Sequence, residues 1–220
     1  MNHAENFPIY RVLKRCADAV ADKPPAAMFG LRDEGYNSLY EQLISCILSI
    51  RTYDEVSTVV SRQLFEIART PEDMVRLNHA ELTKIIAKST FPEQKATNIL
   101  GLSQTIINQY NGKTPAGFDE LTAFKGVGPK CANLALGIAL NRPAISVDIH
   151  VHRITNRWGY VATKTPEKTM RALEQQLPEN LWIEINRVLV PFGKHICRGT
   201  YPKCKICPVV DTCAQIGVRR

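Results

Sequence analysis

The sequence lacks the features that mark membrane, secreted and β-rich proteins. No apolar run approaches the roughly 20 residues of a membrane-spanning helix, and the first ten residues, MNHAENFPIY, have no signal-peptide pattern. No convincing alternation of apolar and polar residues, the mark of half-buried β-strands, is found either. We therefore expect an intracellular protein with no membrane partner and no β-sheet, located in the cytoplasm and, in a bacterium, at the nucleoid.

Acidic residues are fewer than basic ones. Asp and Glu number 21 against 28 Lys and Arg, which gives a formal net charge of +7 and a pI near 9.1. This balance predicts a polyanionic partner, although charge alone does not separate nucleic acid from an anionic membrane. With 220 residues, 45% apolar and 22% charged, the chain is long enough for one large globular domain or two small ones.

Helix signals recur along the whole chain. Apolar residues at helical spacing run from Phe7 to Val20, and further helices are expected to begin at caps, capping boxes or first-turn prolines. These start signals lie at Ser38, Thr52, Thr70, Asn78, Pro92, Thr165 and Pro178. The sequence therefore predicts an all-α fold.

The most informative stretch is Lys125-Gly126-Val127-Gly128-Pro129-Lys130. Glycines permit positive φ and close backbone approach, and proline suits the first position of a helix. An amphipathic segment, 118–124, precedes this stretch and an apolar helical run, 131–140, follows it. The pattern predicts two helices joined by a Gly-x-Gly hairpin, whose exposed backbone N–H groups at Gly126, Val127 and Gly128 can bind phosphate.

Lys130 and Asp148 are the candidate chemical groups. The helix dipole disfavours a cation in the first turn, which favours the neutral, nucleophilic amine at Lys130. The helix rises roughly 15 Å to Leu140, and the following eight residues can span up to about 26 Å, so Asp148 can return to the lysine. Two simpler readings remain open: Lys130 is solvated, and Asp148 caps a helix from Ile149 to Trp158 that ends at Gly159.

The seven cysteines divide into two groups. Cys16, Cys46 and Cys131 stand alone in helical patterns and are expected in the core. The other four have the spacing C-x6-C-x2-C-x5-C, and four thiolates suit either tetrahedral zinc or a [4Fe–4S] cluster. The four candidate ligands are Cys197, Cys204, Cys207 and Cys213. Spacing alone does not decide between zinc and a [4Fe–4S] cluster. The basic residues Arg198 and Lys203 lie in the first cysteine loop and are expected to contact phosphates.

Gly-Val-Gly-Pro-Lys followed by Val-Asp-Ile-His resembles the endonuclease III family of DNA base-excision glycosylases, and so does the cysteine spacing. The resemblance implies that Lys130 attacks C1′ of the damaged nucleotide with help from Asp148, and that His150 contacts DNA. It also favours [4Fe–4S] over zinc.

The same resemblance implies a fold and a substrate. The fold is a six-helix barrel, residues 32–142, and a cluster domain, residues 1–31 and 143–220. The activity is that of a bifunctional glycosylase and AP lyase that excises oxidised pyrimidines and cleaves the strand by β-elimination. Its partner is double-stranded DNA with damaged bases or abasic sites, and a monomer is expected.

Two positions concern the gap left by an extruded nucleotide. Residues 48–54 line up with the family's L-S-x-Q-x-x-D stretch, but Arg51 replaces the glutamine that fills the gap. Phe91 occupies the position of the apolar wedge. The alternatives are an exposed arginine in a helix connection and a phenylalanine acting as a hydrophobic staple. Two rival functions also stay open: a monofunctional mismatch glycosylase of the superfamily and a non-catalytic DNA-binding protein.

Overall fold

The computed structural model describes residues 6–218, and every regular element in that part of the chain is helical. The prediction of an all-α fold is confirmed. The chain forms two compact units, one of Met1–Ala26 with Pro143–Arg220 and one of Ala27–Arg142. The sequence-based boundary at residue 32 differs from this division, because the helix Ala27–Asp33 is continuous. Among residues 6–218 no helix has both the length and the apolar character needed to span a membrane.

The unit Ala27–Arg142 is built around one buried helix. Its elements are α2 (Ala27–Asp33), α3 (Leu39–Ser49), α4 (Asp54–Phe65), α5 (Pro71–Met74), α6 (His79–Ile85), α7 (Pro92–Tyr110), α8 (Phe118–Ala123) and α9 (Pro129–Leu140). Helix α3 is buried from Leu39 to Leu48 and packs against α4 and α9. Because α9 carries Lys130 and the C-terminal end of α3 leads to Arg51, the core of this unit determines where both residues lie.

The second unit contains α1 (Ile9–Asp18), α10 (Ile149–Trp158), α11 (Pro166–Gln176) and α12 (Glu184–His195), with 3₁₀ turns at Glu179–Leu181 and Cys204–Ile206. Its core is formed where α1 and α10 pack against α12. Phe7 stacks on Trp158 with ring centroids 5.7 Å apart. Cys197, Cys207 and Cys213 pack against this core, which fixes the position of the cysteine segment within its unit.

Most of the predicted helix starts are observed. Ser38 and Asn78 form capping boxes with the glutamates three residues later. Thr70 and Thr165 cap helices whose first residue is proline. Such local hydrogen bonds satisfy the otherwise unpaired N–H groups of the first turn, and for that reason short sequence signals located these helix ends correctly.

Two expectations about helix starts are wrong. Thr52 does not cap α4, which begins at Asp54 after Tyr53; the Thr52 hydroxyl instead accepts hydrogen bonds from Lys95 Nζ and Thr90 N. The helix expected from Pro178 is divided, because a 3₁₀ turn ends at Leu181 and α12 begins at Glu184. In the first case a long-range contact replaces the local one that the sequence indicated.

Candidate functional site

The Gly-x-Gly hairpin closes with one glycine in a left-handed conformation. Gly126 has φ +89°, and Val127 N donates to Phe124 O at 3.0 Å. Gly128 is extended, with φ −93° and ψ 173°, so of these two glycines Gly126 is the one that uses the positive φ that glycine permits. The Val127 side chain is buried and its N–H is used within the turn, so Gly126 and Gly128 are left as the candidates to donate N–H groups to a phosphate. The hairpin therefore presents backbone groups and little side-chain bulk ahead of α9.

Lys130 is exposed at the second position of α9, directly after Pro129. The neighbouring thiols of Cys46 and Cys131 are buried, as expected of core cysteines. A hydrogen bond from Cys131 lowers the pKa of Cys46, burial raises the pKa of Cys131, and the positive charge of Lys130 favours the thiolate of each. The amine thus lies at the protein surface beside a buried sulfur pair.

Asp148 is the N-cap of α10. Its Oδ1 atom accepts hydrogen bonds from His150 N at 2.9 Å and Val151 N at 2.8 Å, and α10 ends at Gly159 in a left-handed conformation. The capping role that the sequence left open is therefore real. Both bonds go to Oδ1, so capping does not use Oδ2. Lys130 and Asp148 belong to different compact units, and their approach to each other stays a prediction.

Arg51 and Phe91 lie together in the unit Ala27–Arg142. Both have positive φ, +56° and +55°, a conformation uncommon for residues other than glycine. The guanidinium carbon of Arg51 is 5.9 Å from the Phe91 ring centroid, within the range of a cation–π contact. Phe91 is 58% exposed, which disagrees with a buried hydrophobic staple. The two residues form an exposed pair at the surface.

His150 lies in the first turn of α10, where its ring packs against a glycine. Its Nδ1 atom is 3.0 Å from Arg153 Nη2, and a Cβ atom at Gly193 would lie 2.4 Å from that nitrogen. Arg153 also donates to the carbonyl oxygens of Gly193 and Cys197. His150 is thereby linked through Arg153 to the first cysteine of the set; its contact with DNA stays a prediction.

The four predicted cysteine ligands line one small cavity of about 20 Å³. No three His, Cys, Asp or Glu side chains among residues 6–218 converge closely enough to hold a single metal ion. Zinc needs its ligands about 2.3 Å from one point. A [4Fe–4S] cluster is also held by four cysteine thiolates, and the choice between the two groups stays a prediction.

The donor chemistry of this cavity agrees with a cationic group at its centre. Burial raises the pKa of Cys207 to about 11 and the pKa of Cys213 above its ordinary value, and neighbouring thiolates add to both shifts. Thiolates at these positions therefore need a positive partner. Arg157, which is buried, contributes one, because its guanidinium donates to Cys197 Sγ and to the carbonyl oxygens of Arg198 and Gly199.

The first cysteine loop exposes a mixed basic and aromatic surface. Arg198 and Lys203 are exposed as expected. Between them Tyr201 is 83% exposed with φ +51°, and we did not single it out from the sequence. An aromatic ring among cations is a known pattern for stacking on nucleic-acid bases, so this residue had a local signal. The sequence around Lys95 and Arg157 gives no such local signal, because the groups that they bind lie far away in the chain.

Comparisons with known proteins show which proteins this chain is similar to. A model of the HhH-GPD superfamily of base excision DNA repair proteins matches residues 44–179. Endonuclease III of Thermotoga maritima is 41% identical over 174 residues, which are 79% of this chain and 82% of that protein.

Two solved structures are also similar to this chain. One is a non-covalent endonuclease III–DNA complex, and the other is a trapped endonuclease III–DNA covalent intermediate with an estranged adenine. Each has a TM-score of 0.81 and 30% identity, and each match covers 94% of both chains. The similarity therefore extends over both compact units.

Proposed function

The chain belongs to the endonuclease III family of HhH-GPD base excision DNA repair proteins, and we propose that Lys130 and Asp148 carry its chemistry. As a member it is a DNA glycosylase and AP lyase that binds DNA. One observation carries the residue assignment: Lys130 is an exposed lysine at the start of α9, directly behind the Gly126–Gly128 hairpin. A trapped covalent intermediate with DNA exists for a relative of 30% identity, which supports a mechanism that passes through a covalent enzyme–DNA bond.

The proposed reaction proceeds through an imine on Lys130. The neutral Nζ atom attacks C1′, the bond from C1′ to the base breaks, and the base leaves with the bonding electrons and takes up a proton. Loss of a proton from Nζ and opening of the sugar ring give a Schiff base. Removal of a proton from C2′ then expels the 3′ phosphate, which cleaves the strand by β-elimination.

Asp148 is proposed to accept the proton from the amine and to stabilise positive charge on the sugar. Its Oδ1 atom is held by two backbone N–H groups of α10, so the carboxylate has a fixed orientation. Because Oδ2 is not used in capping, it is the atom we assign to this role. The proposal requires Asp148 and Lys130 to meet around the same sugar.

We propose oxidised pyrimidines in double-stranded DNA as the substrates and a monomer as the active form. Phe91 is assigned as the wedge beside the extruded nucleotide, and Arg51 as the group that fills the gap. An exposed ring and a guanidinium held against it suit that task, because stacking and donated hydrogen bonds together compensate a lost base pair. Arg198 and Lys203 are assigned to phosphate contacts, which give affinity rather than base choice.

The four cysteines are proposed to hold a [4Fe–4S] cluster, which when bound supplies a structural brace for the loop. The residues themselves determine what that loop presents. Cys197, Cys207 and Cys213 pack against the core of their unit, and Arg157 donates hydrogen bonds to the carbonyl oxygens of Arg198 and Gly199. The backbone that carries the exposed Arg198 and Lys203 is therefore held in place by packing and hydrogen bonds.

The assignment of Lys130 is tested by trapping. We expect Lys130→Gln to abolish the covalent adduct that borohydride forms with abasic DNA, because the amide cannot form an imine. Lys125→Gln is the matched control, since Lys125 is an exposed lysine on the other side of the same hairpin and its loss removes the same charge. An adduct that persists in Lys130→Gln would reject the assignment, and equal loss of the adduct in Lys125→Gln would show an effect of charge rather than of the nucleophile.

No observation favours a monofunctional mismatch glycosylase. That branch of the superfamily uses a glutamate in the helix that here contains Cys46 and Ile47, which are buried and apolar. The glutamate that this helix carries, Glu41, lies in its first turn, where it closes the capping box with Ser38 and pairs with Arg69. The presence of Lys130 in α9 supports the lyase mechanism instead.

A further inference from the structure

Lys95 is a buried lysine with three short hydrogen bonds. It lies in the first turn of α7 and is 5% exposed. Its Nζ atom donates to Leu48 O at 2.7 Å, to Ile50 O at 2.9 Å and to Thr52 Oγ1 at 2.9 Å. An ammonium group has three donors and a high cost of burial. All three donors are used here, so the group is fixed in place.

The three acceptors lie on both sides of Arg51. Leu48 and Ile50 precede it and Thr52 follows it, so one side chain fixes the backbone before and after Arg51. Thr90 adds a second connection, because its N–H donates to Thr52 Oγ1 at 3.1 Å and its hydroxyl donates to Arg51 O at 2.8 Å. Thr90 directly precedes Phe91. The segments that carry Arg51 and Phe91 are thus joined to each other and to α7.

This connection explains an unfavourable local geometry. Arg51 and Phe91 both have left-handed backbones, and such conformations persist outside glycine only where the surroundings hold them. Helix α7 begins immediately after Phe91 and carries Lys95 one turn later. The first turn of α7 therefore positions Phe91, which directly precedes it, and also positions Arg51 through the hydrogen bonds of Lys95.

We infer that Lys95 is a positioning residue that holds Arg51 and Phe91 as one DNA-facing element, and so determines how well the enzyme distinguishes a damaged duplex from an intact one. The inference rests on the proposed function, which assigns Arg51 and Phe91 to the gap left by the extruded nucleotide. A loose pair would gain less from a gap in the duplex, because part of the binding free energy would be spent on ordering the two side chains.

The test compares two dissociation constants. One is for a duplex with a single tetrahydrofuran abasic-site analogue, and the other is for the same duplex without it. We expect Lys95→Met to lower the ratio of the two affinities by at least about tenfold, the effect of losing one charge-assisted hydrogen-bond network. Lys88→Met is the matched control, because Lys88 is an exposed lysine shortly before the same loop. An unchanged ratio in Lys95→Met would overturn the inference.

A double-substitution experiment separates positioning from a general loss of structure. In a chain that already carries Arg51→Ala and Phe91→Ala, we expect Lys95→Met to change the ratio no further, because the groups it positions are gone. The same tenfold loss in that background would contradict the inference.

If Lys95→Met does not fold, Thr90→Val provides a second test. It removes the bond to Arg51 O and is expected to lower the ratio of the two affinities in the same direction; an unchanged ratio in Thr90→Val would also overturn the inference. Borohydride trapping of wild type on single-stranded abasic DNA, where no duplex gap exists, tests the proposed function separately.

Discussion

The guanidinium of Arg157 donates a hydrogen bond to Cys197 Sγ, 3.4 Å away. The carbonyl oxygen of the same residue accepts a hydrogen bond from Cys213 Sγ, also at 3.4 Å. Arg157 thus contacts the first and the last cysteine of the set, which are separated by the whole cysteine segment. The guanidinium is a charged donor and suits a thiolate at Cys197, whereas the bond from Cys213 Sγ exists only while that sulfur carries its proton.

Replacement of Arg157 by glutamine is expected to reduce the iron retained per chain after purification and to lower the free energy of unfolding by about 3 kcal/mol. The reason is that the carbonyl oxygens of Arg198 and Gly199 lose their donor in a partly buried place. Iron content, visible absorbance and denaturant unfolding are the measurements. Arg171→Gln on the exposed face of α11 is the control; equal iron loss in both variants would contradict a specific role for Arg157.

Gly126 and Gly128 provide a paired test of the hairpin. A Cβ atom at Gly126 would lie 2.6 Å from Asn98 Nδ2 on a backbone with φ +89°, whereas a Cβ at Gly128 would meet no atom within 4 Å. Gly126→Ala is therefore expected to lower the free energy of unfolding by about 1–3 kcal/mol, and Gly128→Ala to change it by less than about 0.5 kcal/mol. Urea unfolding of both variants checks this; equal losses would refute the geometry of the turn.

These two glycines also show what the sequence could predict. The pair of glycines before a proline correctly indicated a hairpin followed by a helix start. It did not show which glycine takes positive φ, because that depends on where the turn closes, and closure occurs through Val127 N and Phe124 O. Helix caps were predicted well at Ser38 and Asn78, since cap and partner are three residues apart.

Lys95 and Thr52 show why the remainder of the site was not predicted. A lysine in a helix is usually solvated, and nothing near Lys95 in the sequence indicates acceptors that lie more than forty residues earlier. The same contact explains the wrong capping box at Thr52, whose hydroxyl has two long-range donors. Interactions between distant segments depend on tertiary packing, and periodicity and capping signals do not report it.

The buried amine of Lys95 predicts a pH dependence with a definite sign. Burial lowers its pKa from 10.5 to about 8. Between these two values the unfolded chain binds more protons than the folded one, so this group makes the free energy of unfolding rise as the pH rises. Relative to Lys95→Met, wild type is expected to gain on the order of 1 kcal/mol between neutral pH and about pH 10. Urea unfolding of both proteins at the two pH values measures the difference, and a relative loss of stability would have the wrong sign.

Arg51 predicts an altered choice of the base opposite the lesion. Arginine has only donors, which match the adjacent O6 and N7 acceptors of guanine, whereas glutamine has one donor and one acceptor and matches adenine. With Arg51 held against Phe91, we expect excision to be favoured opposite guanine, and Arg51→Gln to shift the preference toward adenine by about tenfold. Excision rates on four duplexes that differ only in the opposite base give the answer. Arg62→Gln controls for the lost charge, because Arg62 lies in the same unit and is paired with Glu34. An identical base preference in wild type and Arg51→Gln would contradict the assignment of Arg51 to the gap.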